Sequence, residues 1–198
     1  MATMQVSICW QSQSGNKTKY NRDCAGIGIA DHSLLAVVAD GSSTGKESGV
    51  LAQFLVHNLV DWFVETNGVV GERELSGQLQ QIHDSVAGKF QRSSARYMIV
   101  ILRPQYPCLV VHAGDCILGR FIDDSITWLT APDTLANARS YIPVEELAKA
   151  RSRHLLTRSF RSREFMPRPL PSRPLITNPI DFLSLPMAFG PSYLPKIN

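Results

Sequence analysis

Three aspartates stand where apolar segments of the sequence begin or end. Asp40 follows the apolar run Leu34–Ala39 and precedes Gly41, Asp115 follows another apolar run and a glycine, and Asp23 stands just before a third. A carboxylate at the end of a buried strand, next to a glycine whose backbone can approach an ion, suits a hard divalent cation. Two or three such ions held by carboxylates and waters are the usual machinery for hydrolysing phosphate esters. An ordinary Asp-Gly turn is the alternative for Asp40 alone.

The loop after Asp40, GSSTGKES, has a second interpretation as a phosphate-binding P-loop. That motif needs four residues between its glycines and a hydroxyl residue directly after its lysine. Here three residues separate Gly41 from Gly45, and Glu47 follows Lys46. We therefore expect no P-loop at this position.

The four cysteines, Cys9, Cys24, Cys108 and Cys116, show no C-x-x-C spacing. A thiolate metal site or a redox motif is therefore not indicated. The C-x₅-R spacing of the cysteine phosphatases is also missing, because positions 114 and 122 are Gly and Ile. We predict that the cysteines are buried free thiols.

The composition fits one globular domain, with 198 residues of which 44% are hydrophobic. No apolar run is long enough to span a bilayer and no signal pattern opens the sequence, so we expect a cytoplasmic location and no membrane partner. Residues 1–148 carry 11 Lys/Arg against 15 Asp/Glu, whereas residues 149–173 carry eight against Glu164 alone. This basic strip has few aromatic residues and several prolines. We expect an extended, solvated or phosphate-facing segment there, not a nucleic-acid interface.

Hydrophobic periodicity predicts strands, then two helices, then strands again. Asp31 and His32 read as a tight turn between two strands, the second of which is buried on both faces. Helices are predicted at 50–64, 72–90 and 143–150, and further strands at 4–10, 97–102, 108–113, 117–122 and 126–129. This order favours the α+β class, with helices stacked on antiparallel sheets.

Six segments between Asn21 and Phe160 resemble, in order, motifs of the metal-dependent protein phosphatases of type 2C, especially the short bacterial members. They are YNRDCAGIGI, LLAVVADG, SGVLAQFL, VVHAGDCILGRF, WLTAPDTLANA and HLLTRSF. The first is similar to the N-[EQ]-D motif, the second to the metal-binding Asp-Gly strand, and the fourth to the [NV]-G-D-S-R strand pair. The shared order makes the resemblance specific, since each motif alone is short.

The resemblance implies an αββα sandwich of two antiparallel sheets flanked by helices. It also implies hydrolysis of phosphoserine or phosphothreonine in a protein substrate, with Mn²⁺ or Mg²⁺ as cofactor. Carried over by position, Asp40 bridges two ions and Gly41 gives its carbonyl oxygen to one of them. Asp23 supports the ions, partly through water, and Asp115 serves an additional outer ion. A water between the ions, with its pKa lowered, would attack phosphorus in line.

The phosphate-binding position departs from the family pattern. An arginine usually stands three residues before the asparagine of the N-[EQ]-D motif, and Thr18 stands there in this sequence, between Lys17 and Lys19. We expect Lys17 or Lys19 to bind the phosphate in its place. Lysine is a point charge without the bidentate fork of arginine, so the contact differs in kind.

The last part of the sequence departs most from the family pattern. The family has a strand that closes in [ST]-D-G and a later D-N, whereas no Asp follows Asp181 and Pro186 interrupts the strand that begins as DFLSL. Regrouping the codons of PMAFGPSY one base earlier permits [ST]-D-G-F-W. We therefore interpret 1–185 as an incomplete type 2C phosphatase-like domain and 186–198 as an aberrant Pro-rich tail read in a shifted frame. This interpretation predicts little or no phosphatase activity for the 198-residue form.

Two other interpretations remain open from the sequence. The first is a catalytically dead relative of the phosphatases that binds a phosphoprotein or another partner. The second is a small ligand-binding or regulatory domain with no phosphatase ancestry. Manganese-dependent hydrolysis of a phosphopeptide separates the enzyme from both.

Overall fold

The computed structural model describes residues 6–12, 20–104, 106–122, 125–139, 142–147 and 149–164. Its strands are β1 (Asp23–Ala30), β2 (Ser33–Gly41), β3 (Ser94–Leu102), β4 (Leu109–Ala113), β5 (Gly119–Ile122), β6 (Ser125–Trp128) and β7 (Phe160–Arg161). Its helices are α1 (Ser48–Glu65), α2 (Glu72–Ser85), α3 (Leu135–Arg139) and α4 (Val144–Leu147), followed by a 3₁₀ helix, Arg151–His154. The predicted α+β class and the predicted antiparallel sheets are confirmed.

The larger sheet has the strand order β1-β2-β3-β4, with β7 paired to the first residues of β3, and all of these pairs are antiparallel. β5 and β6 form a second, two-stranded antiparallel sheet. The predicted turn between β1 and β2 is confirmed: Ala30 pairs with Ser33, and Asp31 has a positive φ of 49°. Aspartate tolerates this left-handed conformation better than most residues, which suits it to a two-residue hairpin.

The odd-numbered and the even-numbered side chains of the central strands face opposite layers of the molecule. One set packs against α1 and α2: Leu35, Val37, Ala39, Tyr97, Ile99, Ile101, Leu109 and Val111. The other set packs against the segments that enter and leave the second sheet: Leu34, Ala36, Met98, Val100, Cys108 and Val110. Successive side chains of a strand alternate between faces, and a strand covered on both faces is apolar throughout. The prediction that Leu34–Ala39 is buried on both faces is confirmed.

Helix α1 forms because apolar residues recur at helical spacing along it. Leu51, Leu55, Leu59 and Phe63 are all fully buried on its sheet-facing side. The helix approaches β1 closely, since a Cβ atom at Gly26 would lie 2.6 Å from Val56 Cγ1. The glycine thus lets the helix lie against the strand that carries Asp23.

The predicted helix 143–150 is the shorter α4 and the predicted strand 117–122 is the shorter β5, and two further predicted elements differ more strongly from the structure. The predicted strand at 4–10 is wrong for residues 6–10, which form no regular structure. The predicted helix 72–90 ends at Ser85, because Gly88 and Phe90 take positive φ angles of 77° and 49° that a helix does not accommodate. Residues 17, 19 and 186–198 lie outside the described residues, so the predictions made for them, including the boundary at 185, stay predictions.

Among the helices within the described ranges, none combines the length and the apolar character that crossing a membrane would require.

Candidate metal centre

Three acidic and basic side chains stand in one row across the larger sheet. In the register of the strands, Asp23 lies opposite Asp40, and Asp40 lies opposite Arg96. Directly opposed residues on antiparallel strands place their side chains on the same face, within interaction distance. Arg96 lies on the same face of β3 as Met98 and Val100, because alternate residues of a strand share a face. This face is turned away from α1 and α2. The predicted grouping of Asp23 and Asp40 at the end of two neighbouring strands therefore follows from the register.

Arg96 joins the two strand-end aspartates to Asp115. Its Nη1 atom donates a hydrogen bond to Oδ2 of Asp40, and its Nε atom lies 3.1 Å from Oδ1 of Asp115 in an ion pair. The three side chains are largely buried, with exposed fractions of 28% for Asp40, 23% for Arg96 and 13% for Asp115. Asp115 thus reaches the row from the loop after β4 through the guanidinium of Arg96.

The carboxyl groups are not fully neutralised by this single guanidinium. Burial and the nearby charge of Asp40 raise the pKa of Asp23 to about 6, although Ser12 Oγ donates a hydrogen bond to Asp23 Oδ2 at 3.1 Å and opposes the shift. Burial also raises the pKa of Asp115, against the lowering effect of Arg96. Burial disfavours the charged form of Arg96, but Asp115 and Asp40 outweigh this and its pKa rises. The site is therefore a partly buried region with excess negative charge.

The loop after β4 is shaped to admit the Arg96 side chain. Gly114 has a positive φ of 95°, and a Cβ atom there would lie 2.7 Å from Cγ of Arg96. Its N–H donates to Oδ2 of Asp133 at 3.3 Å, and its carbonyl oxygen accepts a hydrogen bond from the N–H of Asp133 at 2.7 Å. These contacts fix the backbone that presents Asp115.

The loop after β2 is held by Arg22, which precedes Asp23. Nη1 of Arg22 donates to the carbonyl oxygens of Ser42 and Gly45, at 2.6 and 2.8 Å. Gly41 packs against the first turn of α1, where a Cβ atom would lie 2.5 Å from the carbonyl oxygen of Ser48. The close packing gives Gly41 a structural reason to be glycine, and the metal-binding role of its carbonyl stays a prediction.

The structure thus brings together Asp23, Asp40 and Asp115, with Gly41 beside Asp40, while Lys17 and Lys19 fall outside the described residues. Sequence reasoning missed Arg96, which contacts two of the three aspartates. A signal was present, since Arg96 is the one charged residue in the otherwise mostly apolar strand SARYMIVIL. A charge in such a strand indicates a buried or half-buried ion pair.

Carboxylate oxygens are the ligands that Mn²⁺ and Mg²⁺ prefer, so Asp23, Asp40 and Asp115 fit a divalent cation in their chemistry. Asp23 and Asp40 lie directly opposite each other, and a cation between them would reduce their mutual repulsion. Within the described ranges, however, no cluster of three or more His, Cys, Asp or Glu side chains is arranged to hold a metal ion. Arg96 instead contacts one carboxylate oxygen of Asp40 and one of Asp115, which a metal ion would need as ligands.

The thiols take no part in this arrangement as nucleophiles. Burial raises the pKa of Cys108 to about 12 and that of Cys116 well above the usual range of a thiol. Both are buried and free, as predicted, whereas Cys24 is only half-buried. The prediction is wrong for Cys9, which is exposed because residues 6–10 form no strand to bury it.

Solved structures of bacterial phosphatases share this arrangement of strands and helices. The serine/threonine phosphatase PstP/Ppp of Mycobacterium tuberculosis superposes with a TM-score of 0.63 at 20% identity, over 79% of this chain and 68% of that one. Stp1 of Staphylococcus aureus gives 0.63 at 16% identity over the same shares. The PPM Ser-Thr phosphatase MsPP of Mycobacterium smegmatis, in complex with cacodylate, gives 0.60 at 25% identity, over 75% of this chain and 64% of that one.

The chain has the PPM phosphatase fold. The predicted resemblance to the type 2C phosphatases and the predicted αββα architecture are thereby confirmed at the level of the fold. The chain spans about 65% of the length of the bacterial serine phosphatase structures that it matches. One PstP structure of the same PPM fold, similar to this chain with a TM-score of 0.58 at 18% identity, is in complex with two manganese ions. No protein-family model matches the sequence, and no curated protein is significantly similar to it.

Proposed function

We propose that this chain is a metal-dependent serine/threonine protein phosphatase domain, acting on phosphoserine or phosphothreonine in a protein substrate. The observation that carries the proposal is the opposition of Asp23 and Asp40 at the ends of β1 and β2, on a PPM fold. Two like charges directly opposed on adjacent strands repel each other and destabilise the sheet. A divalent cation bound between the two carboxylates would offset this repulsion.

Asp40 would hold the metal ions together with Asp23, and Asp115 would hold a further ion. When bound, Mn²⁺ or Mg²⁺ would lower the pKa of a water molecule so that it can attack phosphorus at neutral pH. The chain's own residues supply the negative charge that attracts the ions. Its packing of Gly41 against Ser48 fixes the loop beside Asp40. Lys17 and Lys19 are proposed to bind the substrate phosphate.

A second candidate is a phosphatase-like binding or regulatory domain without turnover. One observation favours it: Arg96 is ion-paired with Asp40 and Asp115. On this basis we expect turnover by the 198-residue form to be slow, even where metal binds. Metal binding and turnover must therefore be measured separately.

The test compares the wild type with Asp40→Asn, and uses Asp31→Asn as the matched control. Asp31 has the same charge but lies exposed in the β1–β2 turn, where asparagine also tolerates the positive φ. We expect Mn²⁺ to raise the melting temperature of the wild type and of Asp31→Asn, and to leave Asp40→Asn unchanged. Release of phosphate from phosphoserine and phosphothreonine peptides is then followed with and without Mn²⁺.

The outcomes separate the candidates. Asp40-dependent metal binding with phosphate release supports the enzyme. Asp40-dependent metal binding without any release supports the binding domain. An Mn²⁺ shift that persists in Asp40→Asn removes the metal assignment on which both depend.

A further inference from the structure

We propose that the guanidinium of Arg96 is a tethered cation that competes with a divalent metal ion for Asp40 and Asp115. The inference rests on the proposed function, because it concerns the same carboxylates. It adds a regulatory property of this chain's site. In the metal-free form Arg96 is the counter-ion of Asp40 and Asp115, and a metal ion binds only when it displaces the guanidinium from these carboxylates.

The contacts of Arg96 carry the first step. One guanidinium reaches two aspartates that are 75 positions apart in the sequence, through Nη1 on Asp40 and Nε on Asp115. Both aspartates are more than two-thirds buried, so these contacts are weakly screened by solvent. A metal ion that binds Asp40 Oδ2 must replace the hydrogen bond that Arg96 donates to the same atom.

The fold holds Arg96 in this place. Its backbone is paired with Asp40 on one side, and its stem lies in the space left by the missing side chain of Gly114 on the other. The side chain is 23% exposed and so cannot turn fully into water without moving out of this space. The guanidinium is therefore a local cation at high effective concentration, not a surface charge that happens to be near.

The charges at the site explain why a metal ion can displace Arg96 and why Arg96 nevertheless weakens metal binding. One guanidinium lies among three carboxyl groups, so the metal-free site holds more acidic groups than basic ones. A divalent ion would neutralise more of this charge than Arg96 does. Metal can therefore displace Arg96, but its affinity is reduced by the free energy of the contacts that it breaks.

The experiment measures binding of Mn²⁺ alone by isothermal titration calorimetry, using chain that has been freed of metal with EDTA. The variants are Arg96→Leu, which removes the cation, and Arg96→Lys, which keeps the positive charge but lacks the planar guanidinium that reaches two carboxylates. Arg103→Leu is the matched control. It also removes one partly buried arginine, directly after β3, but Arg103 contacts Val70 and Tyr106 instead of the aspartates.

We expect Arg96→Leu to bind Mn²⁺ roughly tenfold or more tightly than the wild type, since it removes contacts to charged groups that metal must otherwise break. Arg96→Lys should lie between the two, and Arg103→Leu should match the wild type. Without metal, Arg96→Leu should melt at a lower temperature than the wild type, and Mn²⁺ should raise its melting temperature by more. If Arg96→Leu is unfolded without metal, refolding on addition of Mn²⁺ supports the proposal.

Equal Mn²⁺ affinity in the wild type, Arg96→Lys and any folded Arg96→Leu overturns the inference while the proposed metal site stands. Tighter binding in Arg103→Leu as well would show a general charge effect and would also overturn it. If no variant binds Mn²⁺, the proposed metal-dependent function fails together with the inference. Tighter binding without any phosphate release supports the inference and removes only the catalytic part of the proposed function.

Discussion

Asp23 lies directly opposite Asp40 in the antiparallel register of β1 and β2, with Arg96 on the far side of Asp40. Only Asp40 of the two aspartates contacts the guanidinium, and Asp23 is instead bound by the neutral hydroxyl of Ser12. Asp23 is therefore the carboxyl group of the site with the weakest compensation. Burial raises the pKa of Asp23 to about 6, and the nearby charge of Asp40 adds to this shift.

The free energy of unfolding should depend on pH because the pKa of Asp23 is raised in the folded state. Because the folded state binds the Asp23 proton more tightly than the unfolded state does, the stability due to Asp23 falls as pH rises from about 4 to about 6 and is then constant. Asp23→Asn removes the titration. With EDTA present, urea unfolding at about pH 7.5 should give Asp23→Asn a higher free energy of unfolding than the wild type.

The difference between Asp23→Asn and the wild type should shrink as pH falls through about 6, and nearly vanish near about pH 4. Groups that do not interact with Asp23 titrate alike in both proteins and cancel in the difference. A difference that stays constant between about pH 4 and about pH 7.5 would contradict the assigned shift.

Arg22 should stabilise the loop that begins α1. It donates to two backbone carbonyl oxygens, of Ser42 and Gly45, and Arg22→Ala leaves both without this donor. We expect a loss of about 2 kcal/mol in the free energy of unfolding, with an unchanged denaturant slope. Arg73→Ala, on the exposed face of α2, is the control and should change stability little. Equal effects of the two changes would disprove the structural role of Arg22.

Gly114 and Gly77 should respond to alanine with opposite signs. Gly114→Ala strains a left-handed backbone by about 1–2 kcal/mol and forces a Cβ atom against Arg96, so it should destabilise the chain. Gly77 lies exposed in α2, and a Cβ atom there would meet nothing within 4 Å, so Gly77→Ala should stabilise the chain by about 0.5–1 kcal/mol. Thermal or urea unfolding decides, and stabilisation by Gly114→Ala would rule out the close approach to Arg96.

The nucleotide sequence around codon 185 tests the reading-frame hypothesis for 186–198. We expect the frame one base earlier to encode [ST]-D-G-F-W directly after DFLSL, with a later Asp-Asn before a stop. The codon pattern forces the glycine and leaves Asp as one of four options. Asn, His or Tyr at that codon, or an immediate stop, would require another explanation of the Pro-rich segment.

Local patterns predicted the elements that carry the aspartates. The alternation and the turn at Asp31 and His32 predicted the β1–β2 hairpin, and the apolar run before Asp40 predicted its buried strand. These signals lie within a few residues of the structure that they specify. The family resemblance then named the same aspartates, and the structural comparisons confirm the fold that the resemblance implied.

The role of Arg96 could not be predicted in the same way. Its partner Asp40 is 56 positions earlier, and two helices lie between β2 and β3. Which residue opposes Asp40 depends on the register of two distant strands, and periodicity within one strand does not fix it. The end of α2 was missed for a related reason, since apolar spacing continues past Ser85 while the backbone turns at Gly88.

The pair of Arg96 and Asp40 also bears on how the sheet folds. β2 and β3 are apolar on both faces, so hydrophobic burial alone distinguishes poorly between alignments of the two strands. A slip of β3 by one residue turns Arg96 toward α1 and α2, where the layer is built from apolar side chains. The ion pair thus disfavours a slip of one residue, because the slip would bury Arg96 away from Asp40 and Asp115.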